Sequence, residues 1–114
     1  MIFNPEYESM DPAVREKLQF ARLKNLLDKV YRDVPFYRKK MDEAGVSPKD
    51  ITCLADIAKL PFTTKDDLRE TFPYGLLACP EAEIEEIHMS SGTTGVPVVD
   101  AYTRKDVETW EEAM

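Results

Sequence analysis

The sequence predicts an α+β chain: a helical N-terminal region followed by a short β-strand–loop–β-strand unit. Three observations lead there. Apolar residues recur at steps of three and four from residue 20 to residue 34. Prolines, a glycine and Ser/Thr–Asp boxes punctuate the middle of the chain. Two short runs containing isoleucine, valine and tyrosine then flank a loop of serine, threonine and glycine.

Asp11 followed by Pro12 marks the first helix start, since the carboxylate can accept a first-turn N–H and proline fits the first helical position. Phe20, Leu23, Leu27, Val30 and Val34 form one apolar stripe, which Leu26 and Tyr31 widen. Val34-Pro35 ends it, because a residue before proline is biased out of the α region. A second, shorter helix turns Phe36, Tyr37, Met41 and Ala44 inward, with Gly45 as its left-handed C-cap. Its Arg38-Lys39-Lys40 run reads as a solvated face, with an anion site as the alternative. Ser47 to Asp50 has capping-box spacing, and Leu54, Ile57 and Leu60 suggest another short helix before Pro61. Thr63-Thr64-Lys65-Asp66-Asp67 holds two overlapping capping boxes, placing a helix from about Lys65 to Thr71. Phe72-Pro73-Tyr74-Gly75 is turn chemistry, and Pro80 is a further break. Tyr31, Phe36, Tyr37, Phe72 and Tyr74 read as core.

Near residue 83 the pattern changes. Ile84 to Met89 and Val96 to Tyr102 read as strands, and Val107, Trp110 and Met114 suggest a new helix that stops in mid-pattern. The expected organisation is a single incomplete domain: a helical region over 1–82, a hairpin-like unit over 83–103, and the start of a truncated helix over 104–114.

Composition narrows the function. Fifteen Lys and Arg against 22 Asp and Glu leave a net charge of −7, all of it in residues 58–114, and no Lys or Arg lies between Arg69 and Arg104. No basic face could dominate such a field, which excludes nucleic acid as a partner. No apolar run approaches the roughly 18 residues of a membrane span, and the N-terminus lacks a signal-peptide pattern, so a cytoplasmic protein without a membrane partner is expected. One histidine and two well-separated cysteines make a Cys/His metal site improbable, and both thiols, Cys53 and Cys79, are expected reduced and buried.

The segment with chemistry is Ser90-Ser91-Gly92-Thr93-Thr94-Gly95, followed by Val96-Pro97. Glycines let a tight loop point successive N–H groups into one concavity, a nest that binds phosphate oxygens without a charged side chain. The hydroxyls add rotatable donors, and one can enter the shell of a magnesium ion. The competing reading is a plain hairpin connection, where the same residues serve conformation. Composition alone leaves both open. A Walker loop is excluded because no Gly-Lys-Ser/Thr ending is present, and GxGxxG is absent too.

The loop resembles the ATP phosphate-binding loop of the AMP-forming adenylating enzymes, which include acyl-CoA synthetases, luciferases and peptide-synthetase adenylation domains. More narrowly, the chain resembles the N-terminal part of the phenylacetate–CoA ligase family. The stretches that carry this are NPEYESM at 4–10, VPFYRKKMDEAGV at 34–46, LPFTTKDDLRETFPYGLLA at 60–78 and IHMSSGTTGVPVV at 87–99. The resemblance implies the large N-terminal domain of an adenylate-forming enzyme. Its reaction would join ATP and an aryl-acetic acid into an acyl-adenylate, then transfer the acyl group to coenzyme A. Carried over, Ser90, Ser91, Gly92, Thr93, Thr94 and Gly95 would hold the triphosphate, with Thr93 and Thr94 toward the β and γ phosphates and Mg²⁺ beside them.

One departure stands out. The family's loop usually has a lysine just before or just after its proline, positions held here by Val96 and Val98; Arg104 and Lys105 are the nearest cations downstream. The family's catalytic lysine, its acid pocket and its adenine and ribose contacts have no counterpart in these residues, so catalytic residues are expected beyond Met114. His88 reads as a packed or partly exposed strand histidine, with substrate contact as the alternative.

Three functions compete. The first is the N-terminal part of an aryl-acetate–CoA ligase, inactive by itself. The others are a stand-alone nucleotide- or anion-binding module and a helical interaction module. Oligomeric state is open, since the apolar faces of the two strands are available for pairing into a homo-oligomer.

Overall fold

The computed structural model describes residues 1–90 and 95–114. The chain runs α1 (Pro5–Glu8), α2 (Pro12–Asp33), α3 (Pro35–Glu43), 3₁₀ turns at Pro48–Asp50 and Leu54–Lys59, and α4 (Lys65–Glu70). A 3₁₀ turn at Glu81–Glu83, β1 (Ile84–Met89), β2 (Val99–Thr103) and α5 (Arg104–Ala113) complete it.

Local chemistry sets most of these boundaries. Asp11 caps α2 by accepting from the N–H groups of Ala13 and Val14 at 2.9 and 3.4 Å, and Pro12 is its first helical residue. Val34, extended at φ −117° and ψ 98°, ends α2, and Pro35 opens α3. Gly45 takes φ +69° after α3, a left-handed conformation that favours glycine. Asp50 accepts from the Ser47 N–H at 2.8 Å, and Asp67 accepts from the Thr64 N–H at 2.8 Å. Of the two overlapping boxes at Thr63–Asp67, the one from Thr64 to Asp67 caps α4.

The core is small and belongs to the N-terminal half. Leu27, Val34, Met41, Val46 and Ile51 are buried, and Phe20, Leu23, Tyr31 and Leu60 pack partly against the cluster. Several expected core residues are not in it. Leu26, Ala44, Phe72 and Tyr74 are exposed. Periodicity identifies the face a helix turns inward, but neighbours decide how wide a strip they cover. Cys53 is exposed and Cys79 half-buried, both free, which corrects the expectation of two buried thiols.

The basic run on α3 keeps Arg38 and Lys39 exposed, as a solvated face should, while Lys40 is half-buried. Arg38 donates to the carbonyls of Tyr31 and Arg32 at 2.8 and 2.6 Å, occupying acceptors left open at the end of α2. Lys40 pairs with Asp67 and ties α3 to α4. Lys39 alone keeps a loose, exposed pair, with Glu43.

The strands form an antiparallel pair in which Met89 faces Val99, His88 faces Asp100, Ile87 faces Ala101 and Glu86 faces Tyr102, with an irregularity between Ile84 and Glu86. The second strand begins at Val99, three residues later than Val96 where the sequence places it. Pro97 explains the delay, since it has no N–H for the ladder. No helix among the described residues is long and apolar enough to cross a membrane.

Candidate functional site

The strand register determines where the ends of the Ser/Thr/Gly loop lie. Past the Met89–Val99 pair, the Ser90 N–H donates to the Val98 carbonyl at 3.0 Å. The Val98 N–H returns the bond, not to the Ser90 carbonyl but to its side-chain Oγ at 2.9 Å. Ser90 and Val98 thus close the neck of the loop. On the far side Gly95 has φ +135°, and an added Cβ would meet nothing within 4 Å. Glycine is needed at 95 for its backbone conformation, not for space. Of the six candidate residues, the structure describes Ser90 and Gly95; Ser91, Gly92, Thr93 and Thr94 lie outside the described residues.

Because a hydroxyl has one proton to give and two lone pairs to receive, Ser90 Oγ can accept from Val98 and still donate to a ligand. Its place at the neck is one the sequence did not signal: the spacing from 90 to 98 becomes meaningful only when the strands pair.

Two charged contacts flank the hairpin. Arg104, the first cation after the loop, donates from Nη2 to Glu85 Oε1 at 2.7 Å. Glu86 Oε2 lies 3.0 Å from His88 Nε2. The His88 ring meets those of Tyr102 and Trp110 edge-on, at centroid distances of 5.1 and 5.4 Å. Tyr102 and Trp110 stack at 6.0 Å with planes 20° apart. This three-ring cluster fastens α5 to the face of the hairpin that carries Glu86 and His88. His88 is a packed, partly exposed strand histidine, and the described contacts of its ring are with protein.

At the start of α5, Thr103 and Asp106 form a reciprocal box. The Thr103 N–H and Oγ1–H both donate to Asp106 Oδ2 at 2.9 Å, and the Asp106 N–H donates to Thr103 Oγ1 at 3.3 Å. That Thr-x-x-Asp pattern stands in the sequence and fixes where the helix leaves the hairpin. Among the described residues no three His, Cys, Asp or Glu side chains gather as metal ligands would.

The arrangement is a loop held at its base by a two-bond neck and braced by one short helix. Downstream of it, Arg104 is paired with Glu85.

No protein-family model matches the chain. Over its whole length the chain is 46% identical to a phenylacetate-coenzyme A ligase of Thermus thermophilus, of which it covers 26%. A phenylacetate-coenzyme A ligase of Pseudomonas putida is 50% identical over 81% of the chain, matching 21% of that protein. The Escherichia coli phenylacetate-coenzyme A ligase is 43% identical over 96% of the chain. Among solved structures, 2-hydroxyisobutyryl-CoA ligase in complex with 2-HIB-AMP and CoA matches with a TM-score of 0.85 and 35% identity, over 96% of this chain and 24% of that one. The same ligase in its postadenylation state gives a TM-score of 0.80 at 32% identity. The chain spans about a quarter of the length of the curated relatives it matches.

Proposed function

Since this chain is related to the phenylacetate–coenzyme A ligases along all 114 residues and its α+β architecture is a piece of the CoA-ligase fold, we propose that it serves as the N-terminal part of an ATP-dependent, AMP-forming aryl-acetate–CoA ligase of the cytoplasm. In that reading residues 1–82, 83–103 and 104–114 are opening pieces of one larger domain. The observation that carries it is the uninterrupted match to the Thermus thermophilus ligase, which includes the loop and both strands that hold it.

The reaction has two steps. A carboxylate oxygen of the aryl-acetic acid attacks the α-phosphorus of ATP, and pyrophosphate leaves. The thiol of coenzyme A then attacks the acyl carbon, and AMP leaves. The loop's task belongs to the first step. Ser90, Ser91, Gly92, Thr93, Thr94 and Gly95 bind the triphosphate through N–H and hydroxyl donors, which stabilise the charge that grows on departing pyrophosphate. Mg²⁺ supplies the neutralising charge when bound. A loop hydroxyl would take one place in its shell. Val96 and Val98 provide no cation, and Arg104 is paired with Glu85.

A ligase containing this chain should release pyrophosphate only when ATP, Mg²⁺ and an arylacetic acid are all present. Changing both Thr93 and Thr94 to Ala should cut adenylation by at least about tenfold, the loss of one or two donors to developing charge. Full adenylation by that double variant would overturn the loop assignment.

A further inference from the structure

Ser90 turns both its N–H and its hydroxyl oxygen to one residue. The N–H donates to the Val98 carbonyl at 3.0 Å, and Oγ accepts the Val98 N–H at 2.9 Å. The N–H is therefore withdrawn from any nest of donors, and of the hydroxyl the proton is what is left to give. This bonding departs from an ordinary ladder. In a hydrogen-bonded antiparallel pair the two residues exchange two N–H···O=C bonds. At Ser90 and Val98 one of the two acceptors is a side chain, and the strands end beside it, at Met89 and Val99. The Ser90 carbonyl has left the ladder, so the chain can turn into the loop there while the neck stays closed. Serine suits this place because its acceptor stands one bond from Cβ, on a single rotatable torsion. Alanine offers the Val98 N–H no side-chain acceptor.

The two arms of the neck are held by different means. On the returning arm Gly95 has φ +135°. Pro97 fixes its own φ there and biases Val96 toward extended backbone. The outgoing arm has neither glycine nor proline at Met89 and Ser90, and the two bonds to Val98 are what hold it. One of those two bonds depends on the Ser90 side chain, eight positions before its partner.

We infer that Ser90 is a positioning residue: its part in binding the triphosphate is indirect, and its hydroxyl latches the loop in the geometry that meets departing pyrophosphate. The inference rests on the ligase reading and divides the work within the proposed loop. Donors moved by about 1 Å from their productive place can cost up to about a hundredfold in rate. That loss falls on the step in which charge grows on the leaving group. An unlatched loop therefore lowers kcat more than it raises the KM for ATP.

A double-mutant cycle separates a latch from a phosphate contact. In a ligase containing this chain, Ser90→Ala should lower kcat for pyrophosphate release about tenfold and change the KM for ATP less than about twofold. Val98→Pro removes the N–H that Ser90 accepts and should cost as much, and the double variant should lose no more than either alone. Without ATP, the Val98 amide of Ser90→Ala should exchange about tenfold faster than in the parent, while the Asp100 amide, opposite His88, is unchanged. Ser90→Thr, which keeps the acceptor, should restore both rate and exchange. If Val98→Pro does not fold, the exchange measurement and the split between kcat and KM decide. Losses that add in the double variant, or a raised KM with unchanged Val98 exchange, would overturn the proposal, since Ser90 would then touch ATP itself. So would full activity in Ser90→Ala, or Asp100 exchange accelerated as much as that of Val98. A parent that releases no pyrophosphate overturns the ligase reading instead, and Val98 exchange alone then decides whether Ser90 latches the neck.

Discussion

Asp67 accepts from the Thr64 N–H at 2.8 Å and from the Lys40 ammonium, so one carboxylate caps α4 and anchors it to α3. Lys40 chiefly, with the Thr64 N–H, holds its carboxyl below the usual carboxylate range. Asp56 is lowered further, first by the Thr52 backbone N–H, then by Lys59 and the Thr52 hydroxyl. A group whose folded pKa is depressed stabilises the fold above its unfolded value, near 4 for aspartate. As pH falls the unfolded chain binds protons first, so that stability is lost as pH drops through the folded values. Urea melts should therefore show stability falling below about pH 4. Asp67→Asn should be less stable than the parent at pH 7 and show a shallower acid loss. An unchanged acid limb would dismiss Asp67 as its source. The Thr64–Asp67 box was legible in the sequence, but the tie to Lys40 was not, because Lys40 and Asp67 are 27 positions apart.

Elements divide by whether their cause is local. Asp11, Pro12, Val34, Pro35 and the Ser47, Thr64 and Thr103 boxes act within one turn, and the helices begin and end where such residues stand. Asp11→Ala should cost about 1 kcal/mol of stability, the usual worth of an N-cap, measured by thermal unfolding followed in the far ultraviolet. Burial depends on neighbours and divides the apolar residues differently. Ile51 is 1% exposed and Leu26 is 56% exposed. In the isolated chain Ile51→Ala should cost about 2–5 kcal/mol, and Leu26→Ala less than about 0.5 kcal/mol. Equal losses would contradict the division between buried core and exposed helix face. Two short elements escaped the sequence reading: α1, capped by Asn4 over Pro5–Glu8, and the 3₁₀ turn at Glu81–Glu83. Both are too short for apolar periodicity to mark them.

At the scale of the whole molecule, the loop and its surroundings are mismatched. A triphosphate brings several negative charges to a half-chain whose net charge is −7, beside an arginine already paired with Glu85. In the proposed reading, backbone N–H groups, loop hydroxyls and the magnesium of MgATP have to offset that field. Titrating MgATP into the 114-residue chain should give no saturation in the micromolar range, as isothermal calorimetry or Trp110 fluorescence would record. Clear saturation would favour a self-sufficient nucleotide-binding module and count against a loop that depends on a larger protein.

What the sequence alone determined was local and chemical. It marked the α2 and α3 boundaries, the position of the loop and the likeness to CoA ligases. Each of these depends on residues close together in the chain, or on an order of motifs that survives without coordinates. Tertiary structure decided the rest. It showed that Ser90 closes the loop through its side chain, that Arg104 pairs with Glu85, that Lys40 and Arg38 tie helices together, and that Ile87 and Met89 stand about half exposed. These depend on which distant residues meet, and pairing two strands or packing two helices makes neighbours of positions that no local pattern connects.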